Sequence, residues 1–292
     1  MESRYTFGGD EYVFVEFAVE MSLEANFKVL AVSQEVRRYE LPGVIEVCPG
    51  NTSYLVHFRP EEIAPRALVG CLREAEQAAR SLTSIRSRLV DIPVLYDDPW
   101  TRECAARFAD RHQDPSATNL EYVMRLNGFS SKADLIAAHS RAPHWVAMVC
   151  FVPGAAACFQ MVARERAIQT PKYLRPRTDT PERAVGLGGV FSCIYPVRGP
   201  GGYQLLGISA VPVYDPGGAL ADLRERFILP EAGDRWKFRP VDIAEYEAVR
   251  SEVEAGTYRY RMAEQDFVPT DYFADPERHL QRLQAEAEER WR

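Results

Sequence analysis

The chain has 292 residues, of which 46% are hydrophobic and 26% charged, with a formal net charge of -7. That composition is ordinary for a globular protein and supports a normal core in one large or two ordinary domains. The acidic balance argues against a general nucleic-acid binder, which needs a cationic footprint to neutralise phosphates.

In chain order, residues 10–19 are aromatic and β-branched with partial alternation, which predicts a strand. Residues 22–38 carry Leu23, Phe27, Leu30 and Val36 near helical spacing. Two short strands follow at 44–47 and 53–58, parted by the turn Cys48-Pro49-Gly50-Asn51-Thr52. A helix over 60–85 and a strand over 88–96 complete a β-α-β-β-α-β order, the split βαβ of a ferredoxin-like module.

Asp97-Asp98-Pro99 then breaks the chain. Helices are expected over 101–112, 116–126 and 132–139, the last capped by Ser130 or Ser131. Residues 144–152 read as a continuous apolar strand. The stretch 164–218 is rich in Pro, Gly and Arg, with short strands at 191–195, 203–208 and 211–214, and another follows at 234–238. Short strands with dense turn signals predict a barrel or sandwich. Helices over 242–255 and 275–292 close the chain. The expected organisation is 1–96, an α/β domain; 97–240, a barrel; and 241–292, a helical extension.

The first residues lack the basic-then-apolar pattern of a signal peptide, and no apolar run approaches the ~20 residues that span a bilayer. A cytoplasmic protein with no membrane partner is expected. The six cysteines form no CxxC pair and read as small buried hydrophobes, so no metal site is expected.

Several segments of the second half form an ordered set: Phe151-Val152-Pro153-Gly154, Pro171 to Arg177, Gly186-Leu187-Gly188-Gly189, Ile194-Tyr195-Pro196, Gly199 to Gly207 and Tyr214-Asp215-Pro216. In the first half stand Gly9-Asp10, Pro49-Gly50-Asn51-Thr52-Ser53-Tyr54 and Ile92-Pro93-Val94-Leu95-Tyr96. With Asp242 to Tyr246 and Glu254 to Tyr258, the set resembles the allophanate hydrolase subunit 1 family, which includes KipI and the B component of bacterial 5-oxoprolinase. It is also similar to the matching half of the carboxyltransferase domain of urea carboxylase.

The resemblance covers nearly the whole chain. It implies an α+β fold, a ferredoxin-like domain followed by a cyclophilin-like β-barrel. It departs from the family pattern at Cys150 and Ala155, where a Gly and an aromatic residue are usual; Phe159 restores some apolar bulk.

The function implied is that of a subunit of a heteromeric, biotin-dependent carboxyltransferase acting on a urea-like or amide substrate, inactive alone. Carboxybiotin would be carried on another chain, and ATP would be used by a partner and not bound here. The partner would be a homologous second barrel subunit, with biotin carboxylase and carrier proteins beyond it. Two alternatives are the B component of an ATP-dependent 5-oxoprolinase and a KipI-like inhibitor of a sensor histidine kinase.

Carboxyl transfer needs cations to hold an anionic group. Lys172, Arg175 and Arg177 offer three within six residues, stiffened by Pro171 and Pro176. They also read as solvated charges on a stiff connector. His139 is a candidate general base, or a cap of its own helix, while His144 and Asp10 read as structural. Phe151, Pro153, Gly154, Tyr195, Tyr203 and Gln204 are the candidate substrate-binding residues. The run Gly199 to Gly207 matches no phosphate-loop spacing and reads as a tight hairpin. No G-x-S-x-G elbow is present.

Overall fold

A computed structural model describes residues 3–291. They divide into two compact units. The smaller runs to Ser87 and takes in Gln265–Asp275; the larger is Arg88–Glu264 with the chain from Pro276 onward.

The smaller unit contains strands β1 (Arg4–Phe7), β2 (Tyr12–Glu16), β3 (Val44–Pro49) and β4 (Ser53–Phe58), and helices α1 (Leu23–Arg38) and α2 (Pro65–Ala79). Ser22 caps α1 by accepting from the Ala25 N–H at 3.0 Å, and Arg37 and Arg38 sit in its last turn, favourable to the helix dipole. Pro65 starts α2, where its missing N–H costs nothing. The four strands form an antiparallel sheet in the order β1-β2-β4-β3. Alternate residues Val13, Val15, Tyr54, Val56 and Phe58 pack in one core with Val29, Val32 and Val36 of α1 and Leu68 and Leu72 of α2. The helix expected over 60–85 is shorter, because Pro65 sets its start and Ile85 begins the next strand.

That next strand, β5 (Ile85–Tyr96), does not join this sheet; the edge beside β2 is taken by β1, a strand too short for its pattern to announce. The cause lies in the burial of β5. It is buried on both faces through Leu89–Val94, a pattern suited to a strand paired on both sides inside a closed wall.

The wall is a seven-stranded barrel. Its other strands are β6 (His144–Val149), β7 (Ala156–Gln160), β9 (Ala184–Gly188), β10 (Phe191–Ile194), β12 (Gln204–Ser209) and β13 (Arg235–Pro240), after the short β8 (Arg177–Thr180) and β11 (Gly199–Gly201), which pair with each other. The order is β12-β9-β10-β7-β6-β13-β5, and β5 closes the circle on β12 through Gly207↔Tyr96, Ile208↔Leu95 and Ser209↔Val94. β14 (Met262–Phe267) adds to β5 outside the circle. The barrel core holds Val90, Ile92, Val94, Val146, Cys158, Val185, Leu187, Ile194, Leu206, Trp236 and Phe238.

Helices α3 (Pro99–Arg107), α4 (Asn119–Leu126) and α5 (Lys132–Arg141) come between β5 and β6, capped by Asp98, Thr118 and Ser131. Helices α6 (Ile243–Glu254), α7 (Pro269–Ala274) and α8 (Pro276–Arg290) complete the chain. α7 lies in the smaller unit and α8 in the larger.

Two expectations need correction. Residues 211–214 form no strand, since Pro212 lacks a ladder donor; only Tyr214 makes an isolated bridge, to Ile228. The run Gly199 to Gly207 is not a hairpin: its first part pairs with β8 and its second with β9.

Barrel closure leaves no room at Gly207. A Cβ there would lie 2.5 Å from the Leu95 carbonyl oxygen and 2.8 Å from Tyr96 Cα. Gly207→Val should lower unfolding free energy by about 3 kcal/mol or more, read from urea denaturation. An unchanged midpoint would contradict the closure.

Candidate functional site

On strands β9 and β10, Val185, Leu187, Ser192 and Ile194 point into the barrel, so Gly186, Gly188 and Cys193 face outward. The outward face has been emptied of side chains for two tyrosine rings. A Cβ on Gly188 would fall 2.5 Å from Tyr203 Cδ1, and one on Gly186 2.9 Å from Tyr203 Cβ. A Cβ on Gly201 would fall 2.4 Å from the Tyr195 ring. Tyr203 and Tyr195 therefore lie against bare backbone, and the Tyr203 N–H donates to the Tyr195 hydroxyl at 3.3 Å.

Lys172 completes this surface. It is exposed, and its Nζ sits 5.1 Å from the centre of the Tyr203 ring. Its charge reaches two thiols. Burial pushes Cys193 up to about 12 and raises Cys150, while Lys172 pulls both back. Burial likewise raises the phenols of Tyr195 and Tyr203. At neutral pH the surface presents one ammonium among uncharged thiols and phenols.

Behind it, Arg177 and Gln204 are structural supports. Arg177 is fully buried; its Nε donates to Thr180 Oγ1 at 3.2 Å and its Nη1 to the Tyr203 carbonyl at 2.9 Å. The guanidinium lies 4.4 Å over the Tyr173 ring, and its Nη2 is buried with no hydrogen-bond partner. Gln204 Nε2 donates to the Pro171 carbonyl at 3.0 Å, so its Oε1 accepts from His112 Nε2–H at 2.8 Å. That leaves His112 Nδ1 to accept from the Asp114 N–H at 2.9 Å. Tyr173 and Asn119 share hydrogen bonds of 2.8 and 3.1 Å, and Asn119 Oδ1 also accepts from the Leu205 N–H. The segment 171–177 is thus pinned between β12 and the helical insertion.

The other expected residues lie elsewhere. Arg175 is exposed and pairs with exposed Asp110 at 3.2 Å, as a solvated connector charge would. Phe151 is 89% exposed at φ 67° beside exposed Pro153, and buried Gly154 lies against the Val213 carbonyl. These three form the turn that ends β6 earlier than the expected residue 152. Asp10 is exposed in the bend between β1 and β2.

His139 is inside the barrel, 1% exposed, with Tyr96 hydroxyl 2.8 Å from Nδ1 and Ser192 Oγ 2.9 Å from Nε2. Beside it His144 Nε2 donates to the His139 carbonyl at 2.9 Å, and Gln160 Nε2 donates to the same oxygen at 3.1 Å. The chain of groups has the spacing of a nucleophile, base and orienting partner. It is sealed in the core, on the face of β10 opposite the tyrosines. Burial lowers both histidines, His144 to about 4.

Of the cysteines only Cys104 and Cys158 are fully buried; Cys48 is exposed, and Cys71, Cys150 and Cys193 are intermediate. Among the described residues no cluster of three or more His, Cys, Asp or Glu is placed to hold a metal. Nor is any helix among them long and apolar enough to cross a membrane.

Residues 3–221 match the family described as carboxyltransferase domain, subdomain C and D. The chain belongs to this family. It is 26% identical over 274 residues to urea amidolyase of Lachancea kluyveri, covering 92% of this chain and 15% of that protein. It is 26% identical over 254 residues to the B component of 5-oxoprolinase of Bacillus subtilis, covering 84% of this chain and 95% of that protein. The crystal structure of the K. lactis urea amidolyase superposes with a TM-score of 0.80 at 24% identity, over 97% of this chain and 17% of that one. This confirms the α+β fold with its cyclophilin-like barrel. The chain thus spans about 15% of the urea amidolyases it matches and nearly all of the 5-oxoprolinase component.

The tyrosine surface was only partly legible in advance. His112, Asn119, Tyr173 and Cys193 were missed. Their role depends on pairings between segments far apart in sequence, and no local spacing marks it.

The interior histidines carry a pH signature. Burial holds both folded pKa values below the unfolded value near 6.5, so each contribution to stability is complete above pH 6.5 and is lost as pH falls through the folded pKa, which for His144 is about 4. For His144 the loss should run at up to roughly 1.4 kcal/mol per pH unit in that window. His144→Gln should flatten the dependence of the urea midpoint between pH 6.5 and 4.5. An unchanged slope would show that His144 is not held neutral.

Proposed function

We propose that this chain is one subunit of a heteromeric carboxyltransferase acting on a urea-like or amide substrate, with Lys172 over Tyr203 as its contribution to the site. The observation that carries the reading is the Lys172–Tyr203 surface in a chain of the carboxyltransferase-domain family. An ammonium beside flat aromatic rings suits a planar, anionic group, the chemistry of a carboxylated ureido ring. Carboxybiotin presented by a carrier on another chain would supply the carboxyl group. Lys172 would hold the developing charge, Tyr203 and Tyr195 would seat the planar part, and Arg177 and Gln204 would position Tyr203 and the 171–177 segment. ATP would be consumed by a partner chain.

The surface offers no free base. His139 is sealed away, and the thiols and phenols are held protonated. We therefore assign the remaining groups to a second, homologous barrel subunit, which makes the chain inactive alone and this site half of one. A cytoplasmic setting follows from that reading. For the domain organisation we propose two functional parts: the small α/β unit, and the barrel, which bears the site.

A second reading has its own support: the B component of 5-oxoprolinase is matched over 95% of its length, as a stand-alone chain. Co-expression with a homologous second subunit should give a complex stable through affinity capture, and its absence would sink both readings. Assaying the complex with urea, simple amides and 5-oxoproline separates them. Lys172→Ala should reduce turnover on the order of 10²-fold with unfolding unchanged, since the residue is exposed. Full activity in that variant would remove Lys172 from the site.

A further inference from the structure

We propose that the cleft between α3 and α6 binds an aromatic carboxylate. The cleft has a volume of about 900 Å³, in the size range of small-molecule sites, and lies within the larger unit. Trp100 of α3 and Tyr246 and Arg250 of α6 line it, with Arg183 and Ile208 from the barrel.

The anchor for the anion is Arg183. Its side chain is only 13% exposed, and its Nη1 donates to the Ser209 carbonyl at 3.0 Å and to the Tyr246 hydroxyl at 3.1 Å. Glu182 Oε1 stands 3.9 Å from Nε, beyond hydrogen-bond range, on a side chain that is 60% exposed. The guanidinium is thus largely withdrawn from water with no carboxylate bonded to it, which is costly until an anion arrives. Nη2 makes no hydrogen bond to any described residue and is not enclosed, so it is the edge open to the cleft. The backbone fixes this placement. Arg183 takes a left-handed φ of 64°, held by its N–H donating to the Tyr195 carbonyl at 2.6 Å and its carbonyl accepting from the Ser209 N–H at 2.8 Å. Strain of this kind at a non-glycine residue gathers at ligand clamps.

Arg250 supplies the second donor. Its Nη2 donates to Glu254 Oε1 at 3.0 Å, while Nε and Nη1 bond to no described residue and are not enclosed. The aromatic part of the ligand follows from Trp100. One side of its ring packs on Tyr246, with centroids 5.4 Å apart, yet the residue is 43% exposed and offers its remaining surface for stacking. Tyr246 joins the two halves, since its ring meets Trp100 and its hydroxyl accepts from Arg183. A carboxylate on Arg183 and a flat ring on Trp100 therefore lie about one tyrosine side chain apart.

The surrounding charges limit the anion to a single negative charge. Glu103, Glu182, Glu247 and Glu254 also line the cleft, all exposed, and equal in number Arg107, Arg183, Arg198 and Arg250. Asp179 engages both Arg107 and Arg198. A phosphate dianion would bring a second charge towards these acids. A cationic ligand would find the glutamates in water, where their attraction is screened, and would meet the arginines besides.

This site uses no side chain of the Lys172 surface, and its test needs no partner chain. Naphthalene-2-acetate, its neutral amide and plain acetate are titrated into the full chain and followed by ligand-observed NMR and calorimetry. Naphthalene-2-acetate should bind saturably in the millimolar range or tighter, and the amide and acetate at least tenfold more weakly. Trp100→Ala, Arg250→Gln and Arg183→Met should each weaken it at least tenfold, and Lys172→Ala should leave it unchanged. Equal binding of the amide or of acetate, binding indifferent to Trp100→Ala or to Arg250→Gln, equal weakening by Lys172→Ala, or no saturable binding at all would overturn the proposal. Trp100 and Arg250 both reach solvent, so their variants decide the matter even where Arg183→Met fails to fold. Loss of activity in Lys172→Ala bears only on the carboxyltransferase reading.

Discussion

The outer wall of the barrel depends on one steric condition: Gly186 and Gly188 must carry no Cβ, because Tyr203 occupies that space, with its Cβ over Gly186 and its ring over Gly188. Everything at the candidate site follows from this contact. With the ring against the backbone, its open face receives Lys172, while the Tyr203 carbonyl accepts from Arg177 and the Tyr203 N–H donates to the Tyr195 hydroxyl. A larger residue at either glycine would lift the ring and disturb all three together. Glycine weakens a strand interior, so two in five residues of β9 mark a place where another group must approach closely.

The two histidine-bearing regions show how burial separates chemistry from structure. Tyr96, His139 and Ser192 have distances that suit nucleophilic catalysis. Yet all three side chains are shut in the core, and His139 is held neutral by desolvation. A buried polar network of this kind, with His144 and Gln160 both donating to the His139 carbonyl, rigidifies the barrel interior. Lys172 is less elaborately bonded, but it stands in solvent where a ligand can reach it. Access decides between them, and hydrogen-bond geometry does not.

The sequence made the α+β class, the N-terminal module, the helix caps and the family legible. These rest on local signals: aromatic and β-branched residues over 10–19, apolar residues near helical spacing over 22–38, Ser130 or Ser131 before a helix, and ordered Gly and Pro motifs. It misled where an element's fate depends on distant partners. β5 looks like the last strand of the small sheet by order along the chain, but its two-sided burial takes it to the barrel. Lys172, Tyr195 and Tyr203 were read as site residues and do meet. Arg177 and Gln204 were named with them but serve as buried supports, a distinction made by burial and not by residue type. Arg175 belongs with Asp110 on the surface, and His139 belongs to the core.

The composition of the Lys172 surface also bears on why such a chain should work as half of a site. Carboxyl transfer to an amide or urea nitrogen requires a proton to leave that nitrogen. The thiols of Cys150 and Cys193 and the phenols of Tyr195 and Tyr203 all have pKa values raised by burial, so none is a base at neutral pH. A lone ammonium stabilises negative charge but takes up no proton. Either the leaving carbonyl chemistry generates its own base on the ligand, or a second protein surface supplies one. The exposed Lys172 beside Tyr203 offers charge stabilisation without a proton acceptor, the inventory that the proposed half-site reading requires.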